Sequence, residues 1–174
     1  MNESYKILGK YIKDMSSETP DVETYLFVKD YISKYQLNID ITSKTLKNKL
    51  VEINTTFKFE DKENNPKKSY FEIIFATIIK VNDDVKEKKD LEKIILCDVQ
   101  KEIYPDLETS FLNLIQNSGY PGIKFEKKID FEKLYNQKFN YKKFFLRLSF
   151  KYFKCLFFSS SDGLTIFLKY LIFF

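Results

Sequence analysis

The chain has no histidine, a single arginine, four glycines, four prolines and two cysteines in 174 residues. Each scarcity removes a class of chemistry. Without imidazole there is no serine–histidine or cysteine–histidine nucleophile, and most zinc sites disappear with it. Gly9, Gly119, Gly122 and Gly163 are too scattered to build a phosphate-cradling loop. Cys97 and Cys155 form neither a metal spacing nor a disulfide framework, which fits a reducing cytoplasm. The opening "MNESYKILGKYIKDM" has no apolar run of signal-peptide length, so secretion is not expected. Carboxylates are plentiful, but no pair stands out from an ordinary solvated surface, and no catalytic residue is assigned.

What remains is a chain with 31% charged and 17% aromatic residues, distributed unevenly. Its length suits one domain, or one domain with an appendage. The net charge of +4 comes from the end: residues 139–174 hold six Lys or Arg against one Asp, while the first 138 hold 23 basic and 24 acidic residues. Thirteen of the 30 aromatics and Arg147 also lie in that tail. A boundary is therefore expected at 138, dividing a body (1–138) from an aromatic, basic tail (139–174). Because the basicity belongs to the tail, the body carries no nucleic-acid footprint.

Within the body, "YKILGKYIKDMSS" reads as a strand whose alternation is broken at Gly9. Thr19-Pro20-Asp21 makes a turn into a short helical or irregular link. The clearest alternation follows in "YQLNIDITSK", with Leu37, Ile39 and Ile41 on one face and Asn38, Asp40 and Thr42 on the other. "KLVEINTTFKFED" repeats the pattern, and the polar "DKENNPKK" turns the chain into "SYFEIIFATIIKV", a strand apolar enough to be covered on both faces. From Asp83 the apolar period becomes helical through Leu91, Ile94, Ile95, Val99, Ile103, Leu107, Phe111 and Ile115. Pro105 predicts two helical pieces or one bent helix, and Asn117-Ser118-Gly119 a stop. Asp130 is placed to cap a last helix presenting Phe131, Leu134 and Tyr135 on one face. The order is α+β: a four-stranded antiparallel sheet packed with C-terminal helices. So few helices leave apolar surface for another subunit to cover.

These segments, in this order, resemble the SecB family of bacterial protein-export chaperones, in its alphaproteobacterial form. Tyr11, Lys13, Asp14, Ser16, Glu18 and Pro20 match the opening strand. Tyr104-Pro105 matches the Phe-Pro step of the family's long helix. Gly119-Tyr120-Pro121 matches its Gly-Phe-Pro turn, and Asp130-Phe131-Leu134-Tyr135 its terminal helix. The resemblance covers roughly residues 5–138. It implies a cytoplasmic homotetramer, a dimer of dimers, that holds unfolded precursor proteins and delivers them to the translocation ATPase SecA, without catalysis, cofactor or metal. It also implies that Asp14, Glu18, Tyr70 and Glu72 form a patch for SecA's basic tail, and that Leu37, Ile39, Ile41, Phe131, Leu134 and Tyr135 contact clients. The bland reading of the three β positions is core facing the helices.

Three departures accompany the resemblance: Glu108 stands where an arginine is usual, Gly122 replaces a common second proline, and the body is nearly neutral where the family is acidic. The tail has no counterpart, and its uncharged runs fall short of the ~18–20 residues that span a bilayer. It is left as an interfacial membrane anchor, an unfolded sticky segment, or an extension without a role; folded back, it would compete with clients. Two rival functions stand beside the leading one. One is a chaperone of this fold dedicated to a single partner such as an antitoxin; the other is a membrane-associated protein anchored by the tail.

Overall fold

The computed structural model describes residues 4–63, 65–125, 128–136 and 168–171. The chain runs β1 (Tyr5–Glu18), α1 (Val22–Tyr31), β2 (Gln36–Thr45), β3 (Leu50–Glu60), β4 (Tyr70–Val81), α2 (Lys88–Lys93), a π-helical turn (Ile94–Asp98) and α3 (Val99–Asn117). A short helix α4 over 131–136 and a strand β5 (Leu168–Leu171) complete it. The expected boundary at 138 lies outside the described residues, as do Arg147 and Cys155.

All strands pair antiparallel in the order β1-β4-β3-β2-β5. β2, β3 and β4 form a meander and β1 returns beside β4, which is a Greek key read from the C-terminal side. The four expected strands are present; β5, from the tail, is an addition that no pattern in the sequence announced. The alternation is preserved along all of β3 and in β2 as far as Ile41, with every second side chain buried there. β4 departs from the expectation of two covered faces: Phe71, Ile73, Phe75, Ile79 and Val81 are buried, whereas Ile74 and Ile78 on the outer face are half-buried.

Helices cover the other face. Asp21 caps α1 by accepting from the Thr24 amide at 2.7 Å. α3 continues through Pro105 as one helix, so the two-piece form is not adopted. The irregularity sits earlier, in the π-helical turn, where Gln100 donates to the Ile95 carbonyl at 3.0 Å. The same buried amide accepts from Thr55 on β3 at 2.9 Å, fixing α3 against the sheet with both groups satisfied. Ile103, Leu107, Phe111 and Ile115 form the buried stripe of α3. Along the β1 side, Lys10 pairs with Asp106 at 2.6 Å.

The stop at Gly119 has full Schellman geometry: Gly119 donates to Gln116 at 3.1 Å and Tyr120 to Ile115 at 3.2 Å. Gly119 has φ +96, and the Tyr25 hydroxyl donates to its carbonyl at 3.0 Å. Gly122 has φ +89, a conformation closed to proline, whose ring holds φ near −65°. This turn therefore takes a backbone form in which the family's second proline has no place.

Candidate docking and holding surfaces

The two faces of the sheet carry different chemistry, and the phase of β1 decides which residues share a face. Ile12 stands opposite Phe75, on the helix side, and Asp14 opposite Ile74, on the outer side. The intervening Lys13 is the extra residue of a β-bulge. Without it, Asp14 would follow Ile12 onto the helix side. With it, Asp14, Ser16 and Glu18 point outward opposite Ile74, Glu72 and Tyr70. The backbone thus gathers Asp14, Glu18, Tyr70 and Glu72 on one face.

The gathered charges are not equivalent. Asp14 and Glu18 are exposed and take part in no ion pair among the described residues. Glu72 pairs with Lys58, its direct neighbour on β3, at 2.6 Å, and also accepts from the Tyr70 hydroxyl. Burial works to raise the Glu72 carboxyl, but hydrogen bonds from Lys58 and Tyr70 outweigh it and leave it below the usual range. The bond to Glu72 in turn holds the Lys58 ammonium above its ordinary value. Lys13 neutralises Glu52 in the same way at 2.7 Å. Within this four-residue patch, Asp14 and Glu18 are the carboxylates without an ion pair among the described residues, and Glu72 is the neutralised one. Sequence reading missed Lys58 because its partner depends on the β3–β4 register, although the alternation of β3 had already put it on the outer face.

The helix side is an aromatic layer. Phe57 meets Phe111 edge-on at 5.8 Å between ring centres and Tyr104 at 6.1 Å; Phe111 stacks on Phe125, which meets Phe59 at 5.9 Å. Tyr35 and Tyr120 extend it over Phe71. Burial pushes the Tyr35 hydroxyl up to about 12, and that hydroxyl accepts from the Ser69 amide at 3.0 Å. Leu37, Ile39 and Ile41 belong to the same cluster and are 0%, 1% and 2% exposed. In this conformation they are floor rather than surface.

α4 lies on the margin of the layer. Asp130 caps it, accepting from the Lys133 amide at 2.9 Å, as its sequence position suggested. Phe131 is buried against Tyr104 at 5.8 Å and Tyr135 is buried, while Leu134 is half-buried. The Cys97 thiol, pushed up to about 11 by burial, donates to the Phe131 carbonyl at 3.7 Å. Glu108, in the place of the family's usual arginine, accepts from Tyr104 one turn away at 2.8 Å. Sequence reading also missed Phe57, Phe59, Phe125 and Tyr120 as members of this layer; the aromatic alternation of β3 was the available signal.

One face of the sheet is charged and open, and the other is an aromatic layer covered by helices. Comparison with known proteins gives the family. Residues 1–142 match the family described as preprotein translocase subunit SecB. A putative protein-export protein SecB from Pelagibacter ubique is 61% identical over 140 residues, covering 80% of this chain and all of the relative. Protein-export proteins SecB from Rhodopseudomonas palustris and Parvibaculum lavamentivorans are 23% and 24% identical over 133 residues, covering 75% and 76% of this chain and 78% and 77% of theirs. The chain belongs to the SecB family of protein-export chaperones.

Proposed function

We propose that this protein holds unfolded precursor polypeptides in the cytoplasm and hands them to SecA. The observation that carries the holding step is the aromatic layer closed at its margin by α4. α4 is held in place by burial of Phe131 and Tyr135, by an exposed Lys101–Glu132 pair of 2.6 Å and by the Asp130 cap. Movement of α4 uncovers Phe131, Leu134 and Tyr135, and beyond them the layer that includes Leu37, Ile39 and Ile41. A broad, aromatic, weakly directional surface suits many unfolded sequences better than a shaped pocket does.

Asp14 and Glu18, with Tyr70 and the neutralised Glu72 beside them, are the proposed SecA contact. Assembly into a homotetramer, a dimer of dimers, is supported by apolar side chains left exposed along the β1 edge, among them Leu8, Tyr11, Ile12 and Met15. The named relatives above are all protein-export proteins, so neither the partner-dedicated nor the membrane-anchored alternative gains support. No helix among the described residues is long and apolar enough to cross a membrane. The purified chain should suppress aggregation of a slowly folding precursor and run as four chains in light scattering. Undiminished aggregation at a severalfold excess would overturn the holding function.

A further inference from the structure

The family match ends at residue 142, yet the sheet does not end with family residues. β5 lies outside that match and pairs antiparallel with the outer edge of β2: Leu168 opposite Ile41, Lys169 opposite Asp40, Tyr170 opposite Ile39 and Leu171 opposite Asn38. In the four-stranded sheet β2 is an edge, and an edge strand offers a row of backbone donors and acceptors to any extended chain. We propose that β5 is an intramolecular competitor that occupies the β2 edge and must be displaced before an extended client segment pairs there. This rests on the holding function proposed above.

Two observations support competition over permanent closure. β5 lies outside the family match, so the sheet formed by the matched residues leaves the β2 edge open. The chemistry of the segment also resembles that of a client. "LTIFLKYLIFF", residues 164–174, contains one charge, no proline and a run of apolar and aromatic residues, as an extended stretch of unfolded precursor does. The resident strand and its replacement are thus recognised by the same backbone row.

The test uses the full chain carrying Lys169→Pro or Tyr170→Pro. Successive N–H groups of a strand point to opposite sides, so one of the two substitutions removes a donor aimed at β2. Two quantities are measured: hydrogen exchange of the backbone amides of residues 38–41, and binding of a reduced, carboxymethylated, permanently unfolded polypeptide. The expected result is faster exchange within 38–41 in at least one variant, restored to slow exchange by the probe, with binding about three- to tenfold tighter as the competent fraction rises. Unchanged exchange in both variants overturns the pairing. Faster exchange with equal or weaker binding overturns the competition. If neither the parent nor the variants bind the probe, the holding function itself fails, and this inference with it.

Discussion

Replacing Asp14 and Glu18 together by lysine should disconnect the chaperone from SecA without impairing its hold on clients. These two carboxylates are the informative ones because Glu72 already has a cation. Glu72→Lys would set a second ammonium beside Lys58, which now lies 2.6 Å from the carboxylate, and would disturb the sheet as well as the surface. An exposed ion pair contributes about 0.5 kcal/mol, and reversal replaces that attraction by a repulsion of similar size, so each site changes binding by about 1 kcal/mol. Two sites amount to about 2 kcal/mol, or roughly 30-fold weaker binding at 1.4 kcal/mol per decade. Screening sets the signature. Near 0.1 M salt the Debye length is about 10 Å, and near 1 M it is about 3 Å, so the ratio of parent to variant affinity should shrink severalfold over that range. Calorimetric titration of SecA into the parent and the double variant, at both salt concentrations, measures it. Client holding should be unaffected, because the aromatic layer lies on the opposite face of the sheet. Equal SecA affinity at low salt would refute the assignment of the outer face.

Phe57→Ala removes a fully buried ring that touches both Phe111 and Tyr104, and should cost about 3–5 kcal/mol in urea unfolding; a loss under about 1 kcal/mol would mean that the layer readily collapses. Gly119→Ala must place a Cβ at φ +96 and 2.9 Å from the Tyr25 ring, whereas Gly122→Ala meets a comparable φ in open space. Gly119→Ala should therefore destabilise by about 1–3 kcal/mol and exceed Gly122→Ala, and equal costs would show that Tyr25 yields freely. For Tyr35 the folded pKa is pushed up to about 12 from an ordinary 10 by burial. The unfolded chain then loses its proton first, so this contribution to stability is complete below pH 10 and disappears as pH rises from 10 through 12. Urea midpoints of the parent should fall more steeply over that window than those of Tyr35→Phe; parallel curves would place the Tyr35 hydroxyl in water.

Local pattern determined much of this protein. The alternation from Leu37 to Ile41 and from Val51 to Phe59 specified both strands and their buried face, because a period of two admits only two orientations and just one of them buries the apolar set. Asp21, Asp130 and Gly119 marked helix ends whose hydrogen bonds span only a few residues. Ordered motifs also disclosed the family, since a turn, a proline step and a capped helix are each written in adjacent residues. Tertiary structure decided the rest. The bulge at Lys13 is visible only against β4, and it alone brings Asp14 to the face of Glu72. Lys58 becomes the partner of Glu72 through the β3–β4 register, not through any spacing along the chain. α3 persists through Pro105 because burial of its stripe against the sheet outweighs the local penalty of one proline, which a sequence can price but cannot compare with packing. β5 joins β2 across more than a hundred residues, and nothing in four residues of "LKYL" names the edge they meet. Local hydrogen bonding and periodicity are legible in sequence because their partners are near neighbours; register between distant strands is settled only when the whole apolar surface finds its cover.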